Sequence, residues 1–457
     1  MVSEKMNKTG RSAKDTFGVS SDTLMRVRRL GREFIWVGFG QAAAVLGSLV
    51  GVRLLTGVLS PDVYGELTLG MTLAMLVNQV VMVPLCGAPA SRFFALAREK
   101  GDLASFLTAL RKLFAQATGI VLLFASVVCL VLLLTGQIKW LWLVIAVFGF
   151  ALLSGYNSNV LDSVQNAARQ RLIVAWHQAM ASWGRFLVAV GLALWLGATS
   201  SVVMLGYGFA TLLVLGSQWW FFRRILQPGG DASVTGDGSV QRWQKQMFAY
   251  AWPFAAWGVF TWAQMASDRW ALQMFVSTRD VGLYAVLFQL GYYPISLLSG
   301  LMVQFVTPIF FQRAGDATDE LQMRRVYTIN WRLTMATLIL TGISTLLASA
   351  LHGFIFRWLV APEYRNISWL LPGMVLAGGL FATGQFVSIS LFIETETRIL
   401  ILPKIATAII GILLNIIGAA WFGVSGVVGA CVIASSVYML WILYLVRIRH
   451  NKMLDVV

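Results

Sequence analysis

Long apolar runs separated by short polar segments make up almost the whole chain. Most runs are about 20 residues or longer, the length that an α-helix needs to cross the hydrocarbon core of a bilayer. The pattern predicts twelve membrane-spanning helices, at residues 34–56, 63–89, 112–135, 138–160, 172–196, 200–222, 248–270, 280–308, 332–352, 366–392, 401–421 and 424–446. The predicted fold class is therefore an all-α polytopic membrane protein.

The second half of the chain repeats the pattern of the first half. Residues 53–70 and 268–287 each have the pattern of a helix end, a tight polar turn and the start of the next helix. When the first stretch is shifted by 217 positions, Gly65 falls on Gly282, and each copy carries an arginine before its turn. A repeat of about half the chain predicts two similar lobes and places the working site at the seam between them.

Composition supports the same class of protein. Hydrophobic residues make up 58% of the sequence and charged residues 12%, and the mean hydropathy is +0.73. A soluble domain of 457 residues cannot bury that much apolar surface, whereas a bilayer can accommodate it. The three cysteines all lie in apolar runs, so we expect no disulfide framework.

The formal net charge of +15 follows the loops. Lysine and arginine are concentrated in the N-terminal segment, in every second loop after it and in the C-terminal tail, whereas the intervening loops hold few. The positive-inside rule therefore predicts that both termini lie in the cytoplasm. Because topology accounts for most of the charge, we expect no nucleic-acid partner.

These patterns divide the chain into five parts. They are a cytoplasmic basic segment at 1–33, a six-helix lobe at 34–226, a cytoplasmic linker at 227–247, a second six-helix lobe at 248–446 and a cytoplasmic tail at 447–457. The linker contains the run QPGGDASVTGDGSVQ, whose Gly, Ser and Asp content is typical of a flexible tether.

Ionisable residues inside predicted spans are the first candidates for a transport site, because each is costly in hydrocarbon unless it faces a cavity or a partner. Arg185 lies near the middle of the fifth span, and helical spacing places His177 and Gln178 on the same face. We predict that this face lines the cavity and that Arg185 meets an anionic headgroup. The alternative is a buried arginine that is bonded within the protein.

Further candidates lie elsewhere in the spans. Arg53 and Arg269 are near the outer ends of the first and seventh spans, where they line the cavity or extend to the interface. Asn78 lies deep in the second span, where it lines the cavity or bridges two helices. Three acids are candidates for a gate or an ion site, with structural pairs and solvated helix ends as the alternatives: Asp268, Asp162 and Glu394.

Enzyme motifs are absent from the sequence. The linker glycines lack the lysine of a nucleotide-binding loop, and the three histidines are too scattered for a metal site. We therefore predict a protein that is not an enzyme and that has no metal and no cofactor. The sequence does not decide whether cargo moves down its own gradient or with a coupled Na⁺ or H⁺.

Five short motifs carry a resemblance to known proteins. They are LSPDVYG at 59–65, SRFFALAREKGD at 91–102, DRWAL at 268–272, DVGLYAV at 280–286 and FGVSGVVGA at 422–430. The chain resembles the multidrug/oligosaccharidyl-lipid/polysaccharide exporter superfamily and, within it, the bacterial polysaccharide repeat-unit flippases. The resemblance implies a V-shaped central cavity between the two lobes.

The same resemblance implies a function. A flippase of this group moves undecaprenyl-diphosphate-linked oligosaccharide repeat units across the bacterial inner membrane by alternating access, for O-antigen, exopolysaccharide or capsule assembly. The implied partners are the lipid-linked oligosaccharide, membrane lipids, and a polysaccharide polymerase with its chain-length machinery.

Three alternatives remain open. A drug/cation antiporter of the same superfamily should carry acids in mid-span and few cavity arginines. A lipid II-type flippase would need two more helices than the pattern provides. A membrane-embedded glycosyltransferase or polymerase would need a large catalytic loop, whereas the outer loops here are short.

Overall fold

Long helices account for nearly all of the chain that the computed structural model describes, which is residues 21–223, 237–314, 320–393 and 397–454. In chain order they are α1 (Ser21–Val58), α2 (Pro61–Glu99), α3 (Leu103–Leu134), α4 (Ile138–Ala167), α5 (Arg171–Leu196), α6 (Ser200–Arg223), α7 (Asp237–Phe275), α8 (278–314), α9 (Glu320–Leu359) and α10 (Leu371–Ile393). A short 3₁₀ segment, Pro362–Leu370, leads into α10.

The last helical segment, Ile401–Leu454, consists of two helices. Gly423 lies inside it with φ 60° and ψ −137°, a conformation that residues with a Cβ rarely adopt. The segment is therefore broken there into α11 and α12, within the motif FGVSGVVGA. With this break the described residues contain twelve long helices, and the predicted all-α polytopic fold class is confirmed.

Most of these helices have the composition of membrane spans. Nine described stretches are long and apolar enough to cross a bilayer, and one of them, Leu402–Ile448, holds both α11 and α12. A shorter apolar stretch, Ala42–Val58, belongs to α1. The helix α7 is not among the nine, because its polar first half and its many tryptophans lower its hydropathy.

Several spans extend beyond their predicted ends. Wider π-helical turns interrupt three helices, at Asn78–Gly87, Asn157–Leu161 and Phe288–Tyr292, and each helix continues after its turn. The predicted second span stopped at residue 89, whereas α2 continues to Glu99. Phe94 and Ala97 are buried on the added turns, so this polar extension has an apolar face of its own.

Part of the predicted linker 227–247 is helical. The helix α7 begins at Asp237, and residues 224–236 lie outside the described residues. Val240, Trp243 and Met247 are buried at helical spacing, so they anchor this first part of α7. The sequence pattern concealed this face, because the apolar positions alternate with charged and amide side chains.

The helices pack as two groups that meet along a seam. In lobe 1 (α1–α6), α5 packs on α1 and α6, and α4 packs on α2, α3 and α6. In lobe 2 (α7–α12), α10 packs on α8, α9 and the last segment, which also packs on α7. The seam is formed mainly by α2 and α3 on one side and by α7 and α8 on the other, with fewer contacts from α1. We call the end of the seam where α6 stops and α7 starts the linker end, and the opposite end the far end.

Candidate functional site

At the far end of the seam the two lobes touch through their backbones. Gly65 of α2 and Gly282 of α8 face each other, and a Cβ on either one would overlap a carbonyl oxygen of the opposite helix. The Tyr364 hydroxyl, in the 3₁₀ segment of lobe 2, donates to the Leu59 carbonyl oxygen of lobe 1 at 2.8 Å. The two glycines that the sequence repeat aligned are therefore the contact pair that closes this end.

At the linker end the lobes are joined by side chains. The first half of α7 leans on lobe 1, where the Trp243 ring packs edge-on against Phe93 and Phe106, with centroids 6.1 and 5.6 Å away. Asp102, in the turn between α2 and α3, accepts a hydrogen bond from Trp243 Nε1 at 2.8 Å and one from the Ser239 hydroxyl. We call this contact the Asp102 latch.

The electrostatics of the Asp102 latch favour the ionised acid. Burial alone would raise the pKa of the Asp102 carboxyl. Hydrogen bonds from Ser105, Ser239 and Trp243, together with the charge of Arg242, outweigh that effect and hold the pKa below its ordinary value. The latch is therefore a charge-assisted contact between the two lobes.

Arg185 lies half-buried near the middle of α5. Its Nε donates to the Ala181 carbonyl oxygen one turn earlier, at 3.1 Å. Its terminal nitrogens have no hydrogen-bond partner and form no ion pair within the described residues. The guanidinium therefore keeps most of its donors available.

Gln178 and His177, which were predicted to share one polar face with Arg185, lie in different environments. Gln178 is exposed, and its Nε2 donates to Asp162 Oδ2 of α4 at 3.1 Å. His177 is buried between α5 and α6, with one ring nitrogen 2.8 Å from the Ile173 carbonyl oxygen and the other 3.2 Å from the Ser217 hydroxyl. This packing replaces the cavity-lining position predicted for His177, because the ring lies one residue, about 100° of helix, from Gln178.

Arg269 occupies a compensated site inside lobe 2. It donates to both oxygens of the adjacent Asp268, at 3.1 and 3.3 Å, and its guanidinium lies 4.4 Å from the centre of the Phe288 ring. The Tyr284 hydroxyl of α8 donates to the same carboxylate at 2.7 Å. Asp268 therefore joins α7 to α8 within one lobe and does not bridge the two lobes as a gate.

The arginines of the two lobes act on neighbouring tyrosines. The charge of Arg185 acts electrostatically on Tyr207 of α6, and the charge of Arg269 acts on Tyr64 of α2. Tyr64 and Tyr207 also influence each other electrostatically. We call these four side chains the central region; Tyr64 precedes Gly65 and packs edge-on against Tyr364, with ring centroids 6.1 Å apart, so the region reaches the far end of the seam.

Two other sequence candidates lie outside this region. Arg53 is exposed near the far end of α1, and its guanidinium has no hydrogen-bond partner in the described ranges. Asn78 sits at the π-turn of α2, where its Nδ2 lies 3.4 Å from the Ser154 hydroxyl of α4 and its Oδ1 accepts from Asn159 at 3.2 Å. This geometry favours the helix-bridging alternative for Asn78.

Of the other two acids proposed for a gate or an ion site, only Asp162 lies among the described residues. Asp162 is buried at the linker end of α4 among glutamine side chains. Glu394 lies outside the described residues. In the described part of the chain, no group of three or more His, Cys, Asp or Glu side chains is placed to hold a metal ion.

Sequence reasoning missed the buried tyrosines of this region. Tyr64, Tyr207 and Tyr284 are buried within apolar helices. A tyrosine in an apolar helix needs a polar partner for its hydroxyl, so its presence there is a sequence signal for a buried polar contact. The signal does not say which partner it finds, since Tyr284 reaches Asp268 from a different helix.

Solved structures of membrane transporters resemble this chain in fold. Neither a protein-family model nor a curated protein matches the sequence. The inward-facing structure of a multidrug resistance MATE family transporter of the MOP superfamily aligns with a TM-score of 0.65 over 91% of this chain and 96% of its own, at 13% identity. The lipid II flippase MurJ, in an inward closed conformation, aligns with a TM-score of 0.66 over 90% of this chain and 87% of its own, at 14% identity.

A third structure agrees with these two. The MATE transporter VcmN of Vibrio cholerae aligns with a TM-score of 0.54 over 95% of this chain and 99% of its own, at 13% identity. The chain is therefore an all-α polytopic membrane protein. Its fold is that of the MOP-superfamily transporters and flippases, and at these identities the likeness shows the fold alone.

Proposed function

We propose that the protein is a flippase that moves undecaprenyl-diphosphate-linked oligosaccharide repeat units across the bacterial inner membrane. The observation that carries this proposal is the guanidinium of Arg185, which has no acidic partner among the described residues and is held half-buried near the middle of α5, a helix that packs on α1 and α6. The cargo serves O-antigen, exopolysaccharide or capsule assembly, and a polysaccharide polymerase with its chain-length machinery acts on it next.

The chemistry of the cargo fits an unpaired arginine. An arginine at membrane depth costs roughly 2.5–3.5 kcal/mol on insertion scales, so its presence needs a compensating interaction. A diphosphate provides one, because guanidinium binds phosphate oxygens through two parallel hydrogen bonds. The sugars then occupy the polar seam while the prenyl tail remains in lipid.

The acids of the central region argue against a cationic cargo. A cationic drug needs a carboxylate that is free to receive it. Among the described residues, Asp268 is the acid of this region, and it is held by Arg269 and Tyr284. The positive charge on the lobe 1 side has no such partner.

The comparisons support a transporter or flippase fold, and they fit a lipid cargo and a drug cargo equally well. MurJ is named as a lipid II flippase, the first structure as a multidrug resistance MATE family transporter, and VcmN as a MATE transporter. The motifs at 59–65 and 268–272 resemble the polysaccharide-unit flippases. The motifs therefore favour a cargo built on a lipid diphosphate.

The two ends of the seam suggest how access alternates. The far end is closed by backbone contact between Gly65 and Gly282, and the linker end by the Asp102 latch. Opening one end and closing the other would expose Arg185 to each side in turn. In this mechanism the cargo is bound and released without any covalent step.

The loop charges orient the protein with its linker end in the cytoplasm. A reporter that is active only in the periplasm, fused after Val457 or inserted within 229–238, should therefore give no signal. The same reporter placed in the turn between α3 and α4, at Gly136, should be active. A strong signal from either of the first two fusions would contradict this orientation.

Liposome transport with a choice of cargo tests the function. The purified protein should move a fluorescent undecaprenyl-diphosphate oligosaccharide between leaflets, as measured by loss of accessibility to an external quencher. Lipid II and a cationic dye, offered to the same vesicles, separate the two alternatives. Movement of the dye or of lipid II, without the oligosaccharide lipid, would replace the proposal with the corresponding alternative.

A further inference from the structure

Lobe 1 contains a buried carboxylate whose hydrogen-bond partners are all amides. Asp162 is 7% exposed near the linker end of α4. Its Oδ1 accepts from Gln218 Nε2 of α6 at 2.6 Å, and its Oδ2 accepts from Gln178 Nε2 of α5 at 3.1 Å. Within the described residues it has no ion pair. A buried charge without a counter-ion is normally avoided, so this arrangement needs an explanation.

The glutamine side chains around Asp162 do not form all the hydrogen bonds that they could. Gln218 Nε2 donates to Gln165 Oε1 at 2.7 Å as well as to Asp162. Gln165 and Gln218 are both 0% exposed, yet Gln165 Nε2 and Gln218 Oε1 have no hydrogen-bond partner among the residues that the structure describes. The Gln218 NH₂ group therefore donates to two acceptors, while the buried Gln165 NH₂ group and the buried Gln218 oxygen form no hydrogen bond in the described part of the chain. Buried polar groups are usually satisfied, and exceptions often mark a functional site.

Reversing both amides gives an equally bonded cluster. A half-turn of the Gln165 and Gln218 amides exchanges their oxygen and nitrogen atoms. Gln218 Oε1 then faces Asp162 and accepts a hydrogen bond from Gln165 Nε2. This second arrangement needs a donor on Asp162 Oδ1, which a protonated carboxyl supplies. The number of hydrogen bonds is the same in both arrangements, so the cluster accommodates the acid in either protonation state.

We propose that Asp162 is a reversible proton-binding site, and that Gln165 and Gln218 reverse their amides as the proton binds and leaves. The proton comes from water at the linker end and forms an O–H bond with a carboxylate oxygen. The donor is a hydronium ion, whose O–H bond breaks as the carboxyl O–H bond forms and which leaves as a water molecule; nothing is oxidised. The proposal goes beyond the proposed function, because it does not depend on which cargo is carried.

The other charged groups near Asp162 are few. His177 of α5 acts on it electrostatically, but both ring nitrogens of His177 are occupied. Among the described residues, and apart from the half-buried Asp102 of the latch, the remaining charged side chains at the linker ends of the packed helices and turns are exposed: Arg92, Arg98, Glu99, Lys100, Arg111, Lys112, Arg169, Arg171 and Arg223. Burial therefore disfavours the ionised form of Asp162, and the hydrogen bonds from Gln218 and Gln178 oppose that effect.

Protonation would loosen the connection between α4 and α5. The bond from Gln178 to an ionised Asp162 is charge-assisted, and it becomes a weaker neutral bond once the acid is protonated. Gln178 precedes Arg185 by seven residues and lies on the same helical face. The site is thus placed to adjust the helix that carries the unpaired arginine.

Infrared spectroscopy of the full-length protein in lipid nanodiscs tests the proposal. Difference spectra between mildly acidic and mildly alkaline buffer should show the carbonyl band of a protonated carboxyl. Asp162→Asn, which is isosteric with the protonated acid, should lose that band. The matched control Asp102→Asn should keep it, because the hydroxyl and indole donors of the latch hold Asp102 ionised.

A second variant keeps the test decisive if Asp162→Asn does not fold. Gln218→Leu leaves Asp162 in place but removes its closest donor, so the midpoint of the band should move to higher pH. An unchanged band in Asp162→Asn, or an unchanged midpoint in Gln218→Leu, would overturn the proposal. A spectrum that responds to Na⁺ at Asp162 but not to pH would overturn it as well, in favour of a metal-cation site.

Discussion

The central region receives one arginine from each lobe, and the two are in different electrostatic states. Arg269 in lobe 2 is paired with both oxygens of Asp268 and lies over the Phe288 ring. Arg185 in lobe 1 donates to one carbonyl oxygen of its own helix and has no acidic partner among the described residues. Both are positive residues inside predicted spans, yet one charge is neutralised locally and the other is available.

This difference assigns separate tasks to the two lobes. A compensated arginine stabilises the packing of α7 against α8, because its charge and its donors are already used. An arginine without an acidic partner adds less to packing, so we expect a bound anion to offset part of its cost in the membrane. We therefore expect lobe 1 to bind the anionic part of the cargo. We expect the Arg269–Asp268 pair of lobe 2 to stabilise helix packing.

Removing the available charge should have the largest effect on transport. Arg185→Ala should abolish polysaccharide export in a flippase-null strain, because the diphosphate loses its bidentate partner. Arg185→Lys should restore export only in part, since an ammonium acts as a point charge. Arg53→Ala is the matched control and should reduce export less, because Arg53 is exposed near the far end of α1. Membrane levels of each variant are checked by immunoblot.

Breaking the compensated pair should instead damage stability. Asp268→Asn leaves Arg269 buried without its counter-ion, and breaking a buried ion pair costs about 3–5 kcal/mol. The melting temperature of the purified protein should fall clearly. Asp62→Asn, at an exposed acid in the first turn of α2, should leave it nearly unchanged. A stable Asp268→Asn protein with a specific transport defect would instead show that lobe 2 also takes part in cargo binding.

Weakening the Asp102 latch should have the smallest effect of the three. Asp102→Asn keeps the size of the side chain but removes the charge that assists the bonds from Ser239 and Trp243. Spin labels at the exposed positions Arg98 and Lys245 should report a broader or longer distance between α2 and α7. An unchanged distance distribution would mean that aromatic packing alone holds this end.

The pH dependence of the latch has a definite sign. Because the pKa of Asp102 is lowered in the folded protein, its contribution is fully present above the pKa of an unfolded aspartate, about 3.9. It is lost as the pH falls through the lower folded value. The label distance in the wild-type protein should therefore be constant near neutral pH and should increase only in strong acid.

Much of the fold was predictable from the sequence, because hydrophobic run length and loop charge are strong signals in a membrane protein. The repeat even aligned Gly65 with Gly282, although only the structure shows that the two glycines touch. The start of α7 was not predictable, because the face carrying Val240 and Trp243 is narrow and lies between polar residues. Its partners, Phe93 and Phe106, belong to the other half of the chain.

The candidate site was predictable in its residue types but not in its pairings. A costly arginine in mid-span identifies Arg185, yet sequence cannot say whether an acid neutralises it. For Arg269 the acid is the preceding residue, and the second partner, Tyr284, comes from another helix. His177 was placed with Arg185 by helical spacing, whereas its packing against α6 depends on how two helices meet.

Direct binding of the lipid diphosphate tests the central claim. Affinity for an undecaprenyl-diphosphate oligosaccharide would be measured on purified protein in nanodiscs, for wild type, Arg185→Gln and Arg269→Gln variants of confirmed fold. Loss of hydrogen bonds between charged groups, at about 1.5–3 kcal/mol, predicts that Arg185→Gln binds roughly 10- to 150-fold more weakly. The corresponding undecaprenyl monophosphate should show a smaller difference. Equal affinity of wild type and Arg185→Gln would contradict the claim that this arginine holds the cargo.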